Sequence, residues 1–133
     1  MNGTMATHQD SLGFIAHHVD YRIKSYVEQA DDYTLKMNED FEYFYRWNSE
    51  DMYKIQLLLK HYRKLKEVVN GGDLKDVFNF MMAEVKCIEK RLLESQLHMS
   101  SSSQASNIAF VFELEVEQKM RQEYLSIIHN IEL

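Results

Sequence analysis

The chain has 133 residues, a formal net charge of −6, and 45% hydrophobic and 27% charged residues. This balance excludes a disordered chain and predicts one globular domain over 1–133, with a flexible N-terminus at 1–9. The negative charge argues against a surface that broadly coats nucleic acid or binds membranes. With no proline and only four glycines, the chain favours long helices over a sheet-rich fold with many turns.

Signals for export, membrane insertion and metal binding are missing from the sequence. No stretch approaches the roughly 18 apolar residues that a membrane-spanning helix needs, and Met1–Asp10 does not resemble a secretory signal. Cys87 is the single cysteine, so one chain forms no internal disulfide and no cysteine-based zinc site. No histidine belongs to a Glu-x-x-His motif of the kind that binds metals in helical bundles. We therefore expect a cytoplasmic protein without metal, cofactor or membrane contact.

The first half of the chain has helical spacing of its apolar residues. From Leu12 onwards they recur three and four positions apart, and the same spacing continues to Phe44. Asp31-Asp32 offers a cap at which this segment would divide. The pattern predicts helix over 11–46 and leaves open whether there is one long helix or two.

Two further helices have clear starts and stops. One begins after Asn48 or Ser49, either of which is a favourable N-cap, and ends at Gly71-Gly72, where glycine takes a left-handed conformation. Asp73 then caps the next helix, whose apolar face extends to Leu92. Because the connections are short, we expect consecutive helices to pack antiparallel.

The last third of the chain is ambiguous. Residues 100–107 carry no apolar side chain larger than alanine, which predicts a serine-rich loop. Over 108–116, apolar residues alternate with glutamates as in a strand, but helical spacing returns at Met120. A lone strand would have to pair with another subunit, so a helix is favoured. The predicted fold is an all-α antiparallel bundle of four or five helices, with a short strand at 108–116 as the alternative.

The clearest functional signal is a surplus of aromatic side chains around Phe41–Trp47. These side chains would surround a helix, so one core does not readily bury them all, unless the helix lies inside the bundle and is covered on every side. Tyrosine and tryptophan are common anchors of protein interfaces. We predict that seven aromatic residues bind a partner, either another protein or a second copy in a homo-oligomer such as a dimer. They are Phe41, Tyr43, Tyr45, Trp47, Phe80, Phe110 and Phe112.

A dense basic cluster lies near the end of the third apolar stripe. Cations there are stabilised by the helix dipole, and the alternative is contact with nucleic-acid phosphates. No helix-turn-helix signature accompanies the cluster. If nucleic acid is the partner, the residues that contact it are Lys60, Arg63, Lys64 and Lys66.

Arg91 and His98 are the candidates for catalysis. They form an Arg-x6-His arrangement that resembles the motif of helical HEPN ribonucleases, with Leu92 where that family usually has a polar residue. The resemblance implies RNA cleavage at a site shared by two subunits, with acid–base roles for these two side chains. His61-x-x-Lys64 likewise resembles the motif of histidine phosphotransfer bundles, with a leucine in place of the usual glycine.

Other catalytic signatures do not occur in the sequence. It has no glycine-rich phosphate loop and no Gly-x-Ser-x-Gly elbow, and Cys87 has no histidine partner nearby in sequence. The leading functional hypothesis is therefore a non-enzymatic interaction or regulatory protein. We expect it to self-associate through its aromatic surface or through 110–116.

Overall fold

The computed structural model describes residues 4–95 and 103–131, which form five helices and no strand. This result confirms the all-α prediction and shows that 108–116 is helical. None of these five helices is long and apolar enough to cross a membrane. The helices are α1 (Thr4–Glu39), α2 (Phe41–Trp47), α3 (Ser49–Gly71), α4 (Leu74–Ser95) and α5 (Gln104–His129).

The four long helices form an up-and-down bundle, as contacts between side chains show. Tyr33 of α1 bonds to Asp51 of α3 at 3.5 Å, while Lys66 of α3 pairs with Asp20 of α1 at 3.0 Å. Since high numbers on one helix meet low numbers on the other, α1 and α3 are antiparallel. The connection of two residues at 72–73 and the pair Lys64–Glu84 make α3 and α4 antiparallel. The pairs Glu89–Arg121 and Arg91–Glu117 make α4 and α5 antiparallel. The pairs Tyr53–Glu113 and Tyr62–Glu123 make α3 and α5 parallel.

The segment 11–46 contains two helices of very unequal length. The possible division at Asp31-Asp32 does not occur, because α1 continues through both residues. The chain breaks instead at Asp40, which has an extended backbone (φ −154°, ψ 91°) and accepts a hydrogen bond from the amide of Tyr43 at 3.1 Å. Asp40 thus caps α2, which has only seven residues. Asn48 then separates α2 from α3, although its side chain makes no capping hydrogen bond.

Helix α3 ends at Gly71 as predicted, but the predicted left-handed glycine is wrong. Gly72 is extended (φ −130°, ψ −179°). Glycine suits this position because a Cβ atom would lie 2.9 Å from the side chain of Asp76. The amide of Asp76 donates to Asp73 Oδ1 at 2.9 Å, and the amide of Asp73 donates to Asp76 Oδ2 at 3.1 Å. This reciprocal pair confirms that Asp73 caps α4.

Both segments predicted to be irregular are partly helical. Residues 4–9 belong to α1, and residues 1–3 of the predicted flexible N-terminus lie outside the described residues. Ser103 accepts a hydrogen bond from the amide of Ser106 at 3.2 Å and caps α5, which begins at Gln104. The prediction of a loop is therefore wrong for 104–107, and 100–102 lie outside the described residues.

The core consists of the apolar faces that the helical spacing identifies. Phe44 is the one residue of α2 that is buried, and it fastens this short helix to the bundle. The largest fully buried side chains come from all four long helices: Ile15, Val19, Leu65, Val77, Met81, Met120 and Tyr124.

A polar network in the bundle connects three of the long helices. Glu123 of α5 binds His18 and, at 3.8 Å, Arg22 of α1. Tyr62 of α3 donates its hydroxyl proton to Glu123 Oε1 at 3.0 Å. Burial is the main cause that raises the pKa of Tyr62, and the Glu123 carboxylate raises this pKa further. The phenol therefore keeps its proton and remains a hydrogen-bond donor. The network fixes α1, α3 and α5 against one another.

Candidate functional site

Helix α2 presents four large aromatic side chains to solvent. The aromatic surface consists of Phe41, Tyr43, Tyr45 and Trp47, which are 58–67% exposed, whereas Phe44 is only 6% exposed. The helix is therefore not covered on every side. An exposed apolar group of this kind is typical of an interaction site.

A charged ridge runs along the outer side of α2. At about 100° per residue, the positions opposite buried Phe44 are those of Glu42 and Arg46. Both side chains are exposed, and neither forms an ion pair with another described residue. The ridge therefore has one anion and one cation available for a partner.

The aromatic surface lies in two pairs on either side of this ridge. Phe41 and Tyr45 are one helical turn apart on one side, with their rings stacked and their centroids 6.1 Å apart. Tyr43 and Trp47 occupy the corresponding positions on the other side. Side chains on both sides of α2 are thus available for contact.

The three other predicted partner residues are half-buried within the bundle. Phe80 packs edge-on against a core tyrosine, with 6.3 Å between the ring centroids. The guanidinium of Arg91 lies 5.9 Å from the ring centre of Phe110, and the ammonium of Lys54 lies 5.0 Å from that of Phe112. Phe110 and Phe112 belong to α5, so they do not pair as a strand with another chain.

The basic cluster of α3 is divided between two sides of the helix. Lys64 binds a glutamate of α4, whereas Lys66 binds Asp20 of α1. Lys60 and Arg63 are exposed. The last turn of α3 contains no cation, so helix-end electrostatics do not explain the cluster. The structure does not bring the four cations together in one patch.

A second candidate site is a cavity of about 410 Å³ between α3, α4 and α5. At one end Lys64 pairs with Glu84 at 3.2 Å. At the other end the hydroxyl of Tyr53 donates to Glu113 Oε2 at 3.0 Å. The guanidinium of Arg91 lies 3.7 Å from Glu113 at this end. The cavity thus has charged groups at both ends.

The middle of the cavity combines apolar and titratable side chains. Leu57, Ile88 and Val116 contribute apolar wall, and Cys87 contributes an exposed free thiol. His61 is half-buried, and its Nδ1 has no hydrogen-bond partner among the described residues.

The electrostatic surroundings of His61 favour the neutral imidazole. Burial lowers the pKa of His61, and the Lys64 ammonium lowers it further, against an opposing contribution from Glu84. Lys60 and Arg91 add smaller contributions that also lower this pKa. The cations of α3 and α4 therefore surround an uncharged ring.

Glu117 closes the α5 side of the cavity and is 7% exposed. Burial raises its pKa, while Arg91, whose guanidinium lies 3.1 Å away, lowers it. Glu113 and Glu84 raise this pKa again. Glu84, Glu113 and Glu117 were not among the site residues predicted from the sequence. Glu113 and Glu117 could have been recognised from their spacing of four residues, which places both on one face of a helix.

The described residues also bear on the catalytic and metal predictions. Arg91 is engaged by glutamates of α5, while its predicted partner His98 lies outside the described residues. Within 4–95 and 103–131, no group of three or more His, Cys, Asp or Glu side chains is placed to hold a metal ion.

Comparisons with models of protein families, with curated proteins and with solved structures give no match to this chain.

Proposed function

We propose that this protein is a non-enzymatic interaction protein that self-associates through α2. The supporting observation is that α2 exposes four large aromatic side chains and buries only Phe44. At roughly 200 Å² for each aromatic side chain, these rings expose on the order of 500 Å². The charged ridge divides this area into two parts, which together reach the size of the largest apolar patch of a typical monomer, often a functional one.

A second copy of the chain suits the aromatic surface because the pattern on α2 is self-complementary. When two such helices pack antiparallel about a two-fold axis, each side of one helix meets the same side of the other. Phe41 and Tyr45 of one copy then meet Tyr45 and Phe41 of the second. Tyr43 and Trp47 meet in the same way. Tyr43 and Tyr45 lie about 80° from the centre of the ridge and are nearest to the second helix, whereas Phe41 and Trp47 lie about 120° from it and extend the contact at its edges.

The charged ridge suits the same arrangement. The two-fold axis reverses the direction of the second helix, so Glu42 of each copy lies opposite Arg46 of the other. Complementary charges across an interface fix its register and disfavour wrong partners. The two residues have no competing ion pair within the described part of the chain.

A charge swap on the ridge tests this proposal. Sedimentation equilibrium from about 1 µM to about 1 mM should show a reversible monomer–dimer equilibrium for the wild type. Glu42→Arg and Arg46→Glu should each weaken the dimer by about tenfold or more, because like charges then face each other. The double variant restores opposite charges and should recover most of the lost affinity.

A pair of tyrosine variants supplies the matched control. Tyr43→Ser removes a ring of the aromatic surface, whereas Tyr21→Ser removes a ring on α1 that is 62% exposed and far from α2. Only the first should weaken the dimer. A wild type that stays monomeric at every concentration, or equal losses in the two variants, would overturn self-association through α2.

The cytoplasm is the proposed location. Cys87 is an exposed free thiol, and it is the single cysteine of the chain. A reducing compartment preserves such a thiol, whereas an oxidising compartment favours its pairing with another molecule.

A further inference from the structure

We propose that the cavity between α3, α4 and α5 binds a small organic anion with an apolar body, such as an aryl sulfonate, carboxylate or phosphate monoester. This inference is independent of self-association through α2. The volume of about 410 Å³ lies within the range of small-molecule sites, which is roughly 300–1,000 Å³.

The free hydrogen-bonding groups of the cavity wall favour an anion. Each lining glutamate has a cationic neighbour: Lys64 binds Glu84, and Arg91 is shared by Glu117 at 3.1 Å and Glu113 at 3.7 Å. The ammonium of Lys60, in contrast, forms no ion pair with any described residue. A bound anion would neutralise this charge.

His61 adds a second group that an anion would satisfy. Its Nδ1 is inaccessible to solvent and unpaired, so a ligand in the cavity would meet the other ring nitrogen, Nε2, which forms no hydrogen bond with a described residue. In the tautomer with a proton on Nε2, the ring donates one hydrogen bond without carrying a charge. The wall thus offers an acceptor group of the ligand both a cation and a neutral donor.

The apolar wall favours an organic anion over a bare inorganic one. Leu57, Ile88 and Val116 come from three different helices and line the same cavity between its charged ends. Ile88 and Val116 are already buried, so an inorganic phosphate or sulfate ion would leave chiefly the half-buried side chain of Leu57 uncovered. An apolar body would bury it, which adds binding free energy in proportion to the area covered.

Anilinonaphthalene sulfonate is a suitable probe because it joins a sulfonate to an apolar body. Its fluorescence should increase saturably, with one probe bound per chain. Cys87 is the single thiol and lines the cavity, so bound probe should slow its alkylation by iodoacetamide several-fold. Fluorescence without protection of Cys87 would place the probe elsewhere, for instance on α2, and would overturn the proposal.

A pair of charge-reversal variants tests the role of the cation. Lys60→Glu should weaken binding of the probe by about tenfold, which corresponds to about 1.4 kcal/mol. Lys86→Glu makes the same change at an exposed lysine of α4 that does not line the cavity, and it should leave affinity unchanged. Equal losses of affinity in the two variants would show that the net charge of the protein, and not Lys60 itself, controls binding of the probe. That result would overturn a specific anion site.

Two further measurements separate the alternatives. Sodium sulfate at the same concentration as the probe should not protect Cys87, and protection equal to that by the probe would overturn the role of the apolar body. Tyr43→Ser, which alters α2 only, should leave protection by the probe intact. Failure of the dimer experiment is thereby distinguishable from failure of the cavity experiment.

Discussion

Glu117 is the buried carboxylate of the described chain, and its environment makes it sensitive to pH. Burial raises its pKa above the ordinary value, only partly opposed by Arg91. An acid whose pKa is higher in the folded state binds more protons when folded than when unfolded. The free energy of unfolding therefore falls as the pH rises between the two values.

Replacing Glu117 with glutamine should remove this contribution. As the pH rises above the ordinary glutamate value of 4.5, the wild type should lose stability relative to Glu117→Gln, until the carboxylate is fully ionised in the folded state. Urea denaturation followed by helical circular dichroism at several pH values measures the difference. Glu67→Gln, which removes an exposed carboxylate of α3 that forms no ion pair with another described residue, controls for the change in charge. A stability difference independent of pH would contradict the raised pKa.

The surroundings of Glu117 illustrate which side chains the sequence reveals and which it does not. The aromatic surplus of α2 is visible in the sequence, because alternate rings on a helix do not share one face. The pairing of Arg91 with Glu117 depends on how α4 and α5 pack. The two residues are too far apart in sequence for the spacing within one helix to predict their contact. The strand-like alternation of 108–116 also concealed the helical spacing of Glu113 and Glu117.

The start and the end of helix α2 are set by hydrogen bonds with the residues that flank it, Asp40 and Asn48. A helix of seven residues is marginal alone, because nucleation is costly and few backbone hydrogen bonds repay it. Asp40 caps its start, and the amide of Asn48 donates to the carbonyl of Phe44 at 2.8 Å at its end. Burial of Phe44 then attaches it to the bundle.

The connection between α3 and α4 yields a prediction for two adjacent glycines. Gly72→Ala should destabilise the protein by about 1–2 kcal/mol, because the new Cβ displaces Asp76 from the cap that it shares with Asp73. Gly71 is the last residue of α3 and has open space at its Cβ position. Gly71→Ala should therefore stabilise by about 0.5 kcal/mol, since alanine loses less backbone entropy on folding.

Thermal and urea unfolding of the two variants supply the measurement. The same substitution at neighbouring positions should change the free energy of unfolding in opposite directions. Opposite signs would show that the effect is specific to each position and not common to any alanine in this connection. Equal effects, or a Gly72→Ala variant as stable as the wild type, would contradict the close approach of Asp76.

The sequence identifies the helices better than the breaks between them. Capping residues near Asn48, Gly71 and Asp73 coincide with changes in the apolar spacing, and those boundaries are correct. Between α1 and α2 the spacing is continuous, so any aspartate is a candidate cap. The structure identifies Asp40 as the cap, because its side chain accepts a hydrogen bond from the amide of Tyr43 and the following short helix buries Phe44.

The antiparallel packing of α3 and α4 follows from their short connection, but the lateral contacts of the bundle do not. This packing was predictable because a connection of two residues returns the chain alongside itself. The closeness of parallel α3 and α5 was not, and the cavity depends on it. Tyr53 and Glu113 meet only because these helices are neighbours.

The network around Glu123 gives the bundle a cooperative connection that a double-mutant cycle can measure. Tyr62 is 2% exposed and donates to Glu123, which α1 also contacts through His18. Glu123→Ala leaves the buried hydroxyl without its acceptor and should cost about 2 kcal/mol, whereas Tyr62→Phe should cost about 1 kcal/mol. Because both changes remove the same bond, the double variant should cost less than their sum by about 1 kcal/mol.

Tyr33 provides the matched control for this cycle, because it bonds to Asp51 outside the network. Tyr33→Phe combined with Glu123→Ala should be additive to within about 0.5 kcal/mol. Urea denaturation followed by helical circular dichroism gives all the free energies under one set of conditions. Because α1, α3 and α5 share Glu123, each variant should keep a single unfolding transition with a lower midpoint. Additivity in the Tyr62 cycle, or separate loss of α1 in Glu123→Ala, would show that the network does not join the three helices.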